Sequence, residues 1–171
     1  YGMKTYLKLG LMTLIIFGVG GWILIEYAQG NSALEVLRAG QSLQVQILAG
    51  IAAGIVASAI AIVLITKKFF EKERHYYHGL ISGWNLDYPG MIFLSLCAGI
   101  GEELFFRGGI QPLIGNWWTS VIFVLLHGYL NPRNWRISIY GVVMVGIIYG
   151  FGFLFEHIGI VSAMVAHAVL D

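Results

Sequence analysis

The chain has 171 residues, of which 58% are hydrophobic and only 11% are charged, and its mean hydropathy is +0.78. Soluble domains carry about 25% charged residues, so this composition excludes an ordinary soluble domain and indicates an integral membrane protein. The net charge of +1 gives no basis for nucleic-acid binding, and the single cysteine, Cys97, excludes an intrachain disulfide.

Residues 9–27 form the first apolar run, which follows Lys4 and Lys8. At about 1.5 Å per residue, a helix of this length crosses a hydrocarbon core of roughly 30 Å. The run is too long for the core of a signal peptide, so we expect it to be retained as a membrane span.

Residues 45–66 form a second apolar run and predict a second span. A polar connection at residues 28–44, with room for a short surface helix, leads into it. The pair Gly50 and Gly54 has a small-residue spacing that lets helices approach closely, within one chain or between two chains.

Residues 67–78 are the most highly charged segment of the chain. We interpret them as a solvated cytoplasmic loop that touches lipid headgroups. A metal site made by His75 and His78 is the alternative, and the solvated loop is favoured because charge runs are usually solvated surfaces.

The third span is predicted over residues 89–111 and is expected to end at Pro112. A charged group at bilayer depth costs from about 3 to more than 10 kcal/mol, so the ionisable groups in this span are functional candidates. On a helix, Glu103 and Arg107 share a face and neutralise each other, whereas Glu102 points about 100° away and is left free for chemistry. The alternative is a buried ion pair that only joins helices.

Three more apolar segments follow, separated by polar turns at 131–136 and 156–159. They are predicted at residues 120–130, 137–155 and 160–171. With the first three, they predict an all-α fold: a polytopic transmembrane helix bundle with about six membrane segments. We expect residues 1–171 to form a single transmembrane domain.

Lysine and arginine residues are distributed unequally between the two sides of this predicted bundle. Arg38 lies on one side, and the other side carries Lys4, Lys8, Lys67, Lys68, Lys72, Arg74, Arg133 and Arg136. The positive-inside rule therefore places the N-terminus in the cytoplasm. Compact size and this charge distribution favour a bacterial inner membrane.

Two histidine motifs lie on the later segments. Phe123-x-x-x-His127 lies on the fourth segment, and His167-x-x-x-Asp171 lies on the sixth. A single histidine on an apolar helix is ambiguous, but these residues and Glu102 supply a base, a proton carrier and an electrophilic stabiliser. Their convergence in a water-accessible cavity would provide the ingredients of hydrolysis.

With these residues the chain resembles the CPBP intramembrane proteases, also called the Abi family, which include CAAX prenyl proteases and bacteriocin-processing or immunity proteins. The matching motifs stand in the family's order: Glu102-Glu103-x-x-x-Arg107, Phe123-x-x-x-His127 and His167-x-x-x-Asp171. The resemblance covers about residues 89–171. Residues 1–88 match only in hydrophobic character and are expected to be accessory spans and a cytoplasmic loop.

The resemblance implies a protease whose site lies in a cavity open towards the cytoplasm. By analogy, Glu102 is the general base that activates a water, while Glu103 and Arg107 shape and neutralise the site. His127 and His167 would position the water or polarise the scissile carbonyl.

Asp171 departs from the commonest form of the third motif, which often ends in asparagine. An asparagine amide can donate to an oxyanion, whereas an aspartate can do so only when it is protonated. Asp171 could instead orient His167 or bind a metal.

A zinc-dependent reaction at these residues is an open alternative to a reaction without metal. Glu102, His127 and His167 would make a His₂Glu set with one position left for water. No His-Glu-x-x-His helix is present in the sequence, and the resemblance leaves the metal requirement undecided.

The sequence indicates only a general class of substrate. An apolar cavity suits a hydrophobic or prenylated peptide or protein within the bilayer, and neither its identity nor the oligomeric state follows from the residues. The main alternative is a non-catalytic scaffold or immunity protein with the same fold. An ion-coupled transporter is less favoured because no pair of matching broken helices is evident.

Overall fold

The computed structural model describes residues 4–84 and 86–171, and within them it contains eight helices and no strand. The predicted all-α helix bundle is confirmed. The helices are α1 (Thr5–Ala28), α2 (Ala33–Arg38), α3 (Leu43–Ile65), α4 (Glu71–Ser82), α5 (Tyr88–Ile114), α6 (Asn116–Leu126), α7 (Trp135–His157) and α8 (Ile160–Leu170).

Six of these helices correspond to the six predicted apolar segments. Four of them, α1, α3, α5 and α7, are long and apolar enough to cross a membrane. Helices α6 and α8 have 11 residues each, which gives them a length of about 16 Å, or half of a typical hydrocarbon core.

Polar side chains fix where three of the long helices begin. Asp87 accepts a hydrogen bond from the N–H of Gly90 at 2.8 Å at the start of α5, and Asn134 accepts one from Ile137 at 3.2 Å at the start of α7. Ser42 stands in the same position before α3. Each of these residues is an N-cap, which satisfies a backbone N–H that has no partner inside the helix.

Three predicted boundaries are wrong. The charged segment 67–78 is not a loop, because α4 begins at Glu71 and continues to Ser82. The third span does not stop at Pro112, because proline is tolerated in the short final turn that runs from Gln111 to Ile114. The fourth segment ends at Leu126 and not at residue 130, because Gly128 turns the chain with a φ of +77°.

Helix α8 packs against α3, α5 and α7, so it lies inside the bundle. The contact with α3 is close because Gly50 and Gly54 lie there. A Cβ atom at Gly50 would stand 2.6 Å from the carbonyl oxygen of Ser162, and one at Gly54 would stand 2.6 Å from the Cβ of Val169. The small-residue spacing in the second span therefore serves packing within the chain.

The connections gather at two ends of the bundle. At one end, Lys4 pairs with Asp87 at 3.1 Å, and Asn134 donates to Glu73 at 3.2 Å. At the other end, the N–H of Gln41 donates to the carbonyl of Ile158 at 2.8 Å. The first end carries the lysine- and arginine-rich connections, as the predicted alternation of spans requires.

Candidate active site

Helix α5 changes its winding directly after Glu103. Residues Leu104–Ile110 form a π-helix, in which the backbone turn is wider than in an α-helix. Gln29, at the end of α1, donates from its side-chain amide to the carbonyl oxygens of Gly108 and Gly109, both at 2.8 Å. Gln29 thus satisfies two carbonyl groups of the widened turn and ties α1 to α5 beside the acidic pair.

Arg107, inside this π-helical turn, is fully buried and pairs with Glu103. The guanidinium Nε lies 3.0 Å from Glu103 Oε2, and neither side chain has any exposed surface. The predicted pairing of these two residues is therefore present. A charge pair at this depth needs further hydrogen bonds, because each charged group has lost its contact with water.

The remaining donors of Arg107 bind three polar side chains and one carbonyl group. They reach Gln111, Asn116, Ser120 and the carbonyl oxygen of Ile148 at 2.8 to 3.4 Å. Arg107 therefore connects α5 to α6 and α7. Only a weak signal for these partners is present in the sequence, since Gln111, Asn116 and Ser120 are polar residues next to apolar runs.

The second oxygen of Glu103 binds His167 on α8. His167 Nδ1 donates to Glu103 Oε1 at 2.8 Å, and its Nε2 lies 3.5 Å from Asp171 Oδ2. The imidazole is therefore held between two carboxylates, and its orientation is fixed from both sides.

Glu102 and His127 form a separate pair. His127 Nε2 lies 3.3 Å from Glu102 Oε2, and 12% of the Glu102 side chain is exposed, against none of Glu103. Glu102 Oε2 is buried and has no hydrogen-bond partner among the described residues. Glu103 is thus bound by donors on both oxygens, whereas the one contact of the Glu102 carboxylate among these residues is with His127.

The ring of His127 is itself positioned by Phe123, one helical turn earlier. Nδ1 lies 2.7 Å from the Phe123 carbonyl oxygen, and the two rings stack with centroids 4.2 Å apart. A carbonyl oxygen only accepts, so Nδ1 carries the proton. Nε2, which faces Glu102, is then free to accept from a water or, when the ring is protonated, to donate.

A cavity of about 510 Å³ lies beside these residues. His127, His167 and Asp171 line one part of it, and Ile81, Trp84 and Leu86 line another part near the lysine- and arginine-rich connections. Its volume falls within the range of roughly 300 to 1,000 Å³ that is usual for small-molecule sites. A mainly apolar wall with a polar end suits a hydrophobic substrate.

All six site residues predicted from the sequence therefore gather in one region, whereas the three residues of the alternative His₂Glu zinc set are not grouped around a common metal position. Within the part of the chain that the structure describes, no three His, Cys, Asp or Glu side chains are placed to hold a metal ion. Both ring nitrogens of His167 already face carboxylates, on Glu103 and Asp171. These residues do not fit zinc in this arrangement.

Comparison with known proteins identifies one matching family and one similar protein. The sequence model of the type II CAAX prenyl endopeptidase Rce1-like family matches residues 84–171. The chain is 36% identical over 85 residues to the uncharacterized protein YpbD of Bacillus subtilis, a match that covers 48% of this chain and 42% of the relative. The chain thus spans less than half the length of that curated relative. No solved structure matches it.

Proposed function

The chain belongs to the Rce1-like family of type II CAAX prenyl endopeptidases, which makes it an integral membrane protein with an intramembrane-protease fold, and from this premise we propose that it hydrolyses a peptide bond with Glu102 as the general base. The observation that carries the proposal is the division of labour between two adjacent carboxylates. Glu103 is buried and bound on both oxygens, whereas Glu102 keeps an unpartnered oxygen beside His127.

The reaction begins with a water held between Glu102 and His127. Glu102 takes one proton from this water as the oxygen attacks the scissile carbonyl carbon, which produces a tetrahedral intermediate with a negative oxygen. Glu102 then gives the proton to the departing amide nitrogen, so the carboxylate is regenerated and the water is divided between the two products.

His127 positions the attacking water. Its Nδ1 proton is committed to the Phe123 carbonyl, so Nε2 accepts a hydrogen bond from the water and aligns it with Glu102. Glu103 and Arg107 act as positioning residues, because they hold α5 against α6, α7 and α8. His167, fixed by Glu103, presents its imidazole to the cavity from the opposite helix.

The substrate class is proposed from the cavity. Its wall is mainly apolar, which suits a hydrophobic or prenylated peptide or protein that reaches the site from the bilayer. The cavity extends towards the connections that carry Lys67, Lys68 and Arg133, so we place that end and the N-terminus in the cytoplasm. A bacterial inner membrane is the proposed location.

The experiment compares the wild type with Glu102→Gln in lipid vesicles. The probes are a farnesylated CAAX-type peptide and a panel of hydrophobic peptides, and product formation is followed by mass spectrometry. Glu35→Gln, which removes an exposed carboxylate on α2, is the matched control. We expect cleavage by the wild type and by Glu35→Gln and none by Glu102→Gln. Cleavage by all three would contradict the role of Glu102, and no cleavage by any of them would favour a non-catalytic scaffold.

A further inference from the structure

The turn that follows α6 holds two side chains next to each other. His127 ends the helix, Gly128 has a φ of +77°, and the N–H groups of Gly128 and Tyr129 donate to the carbonyls of Leu125 and Val124 at 3.0 and 3.2 Å. This is the Schellman pattern of helix termination, in which a residue with left-handed backbone, usually glycine, reverses the chain. The turn therefore fixes Tyr129 relative to His127.

The ring of Tyr129 is held on several sides. It lies nearly parallel to the ring of His127, at 22° and 6.3 Å between centroids. The rings of Tyr77 and Tyr140 pack against it edge to face, at 6.0 and 5.4 Å. Aromatic packing of this kind restricts the ring to one orientation.

The hydroxyl group of Tyr129 remains available. Tyr129 lines the same cavity as His127, His167 and Asp171. The hydrogen bonds that the side chains of His127, Ser138 and His167 form do not involve this hydroxyl. A phenol with an ordinary pKa of about 10 keeps its proton at neutral pH, so it is a hydrogen-bond donor.

The proposed reaction needs such a donor. The tetrahedral intermediate carries a negative oxygen, which is stabilised by hydrogen-bond donors already in place. His167 Nδ1 donates to Glu103, and its Nε2 faces Asp171. His127 Nδ1 faces the Phe123 carbonyl, and a charged Asp171 can only accept. The histidines and the carboxylates of the site therefore offer no uncommitted neutral donor.

We propose that Tyr129 is a further catalytic residue whose hydroxyl donates to the negative oxygen of the tetrahedral intermediate. This assignment rests on the proposed hydrolysis. The phenol keeps its proton throughout, so no bond of Tyr129 is broken. Tyr140 also lines the cavity, but it belongs to α7, and no turn fixes its ring beside His127.

Tyr129→Phe tests the assignment, because it removes one oxygen and keeps the ring. In vesicles, with a probe that the wild type cleaves, we expect kcat to fall about a hundredfold with little change in KM, and the melting temperature to stay within a few degrees. Tyr77→Phe is the matched control, since its ring packs against Tyr129 outside the cavity lining. It should leave kcat unchanged.

A second variant separates a donor from a packing role. Asp171 lines the same cavity as Tyr129, and Asp171→Asn introduces an amide donor there. Tyr129→Phe combined with Asp171→Asn should therefore recover at least tenfold in kcat over Tyr129→Phe alone. The assignment would be overturned if Tyr129→Phe kept the wild-type kcat, or if kcat fell in Tyr140→Phe but not in Tyr129→Phe. Either result would leave the proposed hydrolysis standing. The assignment would also be overturned if Asp171→Asn did not recover the kcat lost in Tyr129→Phe and the melting temperature fell as well. If the wild type is no more active than Glu102→Gln, the proposed hydrolysis fails and the Tyr129 assignment with it.

Discussion

Glu103 and His167 lie 64 residues apart in the sequence, and their side chains meet at 2.8 Å between Oε1 and Nδ1. The other oxygen of Glu103 binds Arg107 at 3.0 Å. One buried carboxylate thus joins a histidine on α8 to an arginine in the π-helical turn of α5. This arrangement supports the proposal that Glu103 shapes the site and that its neighbour Glu102 is the general base.

Arg107 should be among the residues on which the stability of the bundle depends most. Arg107→Met leaves the Glu103 carboxylate buried without its partner, which is expected to lower the free energy of unfolding by about 3 to 5 kcal/mol. Arg107→Lys keeps the charge but loses most of the hydrogen bonds, so its effect should be smaller. Denaturant unfolding in detergent measures both, with the exposed Arg133→Met as the control. Unfolding of Arg107→Met at the wild-type midpoint would contradict this role.

Gln29 should matter although it lies outside all three motifs. Gln29→Leu leaves the carbonyl groups of Gly108 and Gly109 without their donor, and we expect a loss of about 1 to 3 kcal/mol in the free energy of unfolding. Hydrogen exchange across the π-helical turn at 104–110 should also become faster. Gln44→Leu, at an exposed position early in α3, is the control. Equal behaviour of the two variants would show that the turn does not need this support.

Gly50 on α3 and Gly146 on α7 should respond differently to an added methyl group. A Cβ atom at Gly50 would stand 2.6 Å from the carbonyl of Ser162, whereas one at Gly146 would meet nothing within 4 Å. Gly50→Ala should therefore lower stability by about 1 to 3 kcal/mol, and Gly146→Ala should be neutral. Melting temperatures in the same detergent compare them directly. A destabilised Gly146→Ala would indicate a neighbour at that face.

The sequence predicted the number and order of the apolar segments, because hydrophobic length is a local property of the chain. It also predicted the pairs Glu103 with Arg107 and His167 with Asp171, since residues four apart share a helix face. It could not predict the π-helical turn, because no local pattern distinguishes Leu104–Ile110 from an ordinary α-helix.

The parts of the site that could not be predicted from the sequence are long-range contacts. Gln29 lies about 80 residues before the carbonyls that it binds, and Arg107 reaches the carbonyl of Ile148 on another helix. Tyr129 was missed because its segment was predicted to continue as a helix to residue 130. The glycine that ends α6, Gly128, was the available signal.

The ion pair between Lys4 and Asp87 should give stability that depends on pH. The Lys4 ammonium and then the Gly90 N–H hold the pKa of Asp87 below its ordinary value. A carboxylate with a depressed folded-state pKa stabilises the fold above its unfolded pKa of about 3.9, and this contribution disappears as the pH falls through the folded pKa.

The variant Asp87→Asn tests this dependence, because asparagine still caps α5 but carries no charge. We expect it to melt below the wild type at neutral pH, and the difference to shrink steadily as the pH is lowered from about 5 towards 2. Lys4→Gln should show the same trend. A difference that stays constant over this range would mean that the pair contributes nothing through charge.

The proposed roles of the two adjacent carboxylates are tested by comparing Glu102→Gln with Glu103→Gln. For each variant, the melting temperature is measured together with the cleavage of a probe that the wild type hydrolyses. We predict that Glu102→Gln keeps the wild-type melting temperature and loses cleavage by at least a hundredfold, an effect of the size seen when a positioned general base is removed. Glu103→Gln should lower the melting temperature, because Arg107 then has no charged partner. The activity of this variant should fall only in proportion to its folded fraction. Full cleavage by Glu102→Gln would contradict the assignment of the two carboxylates.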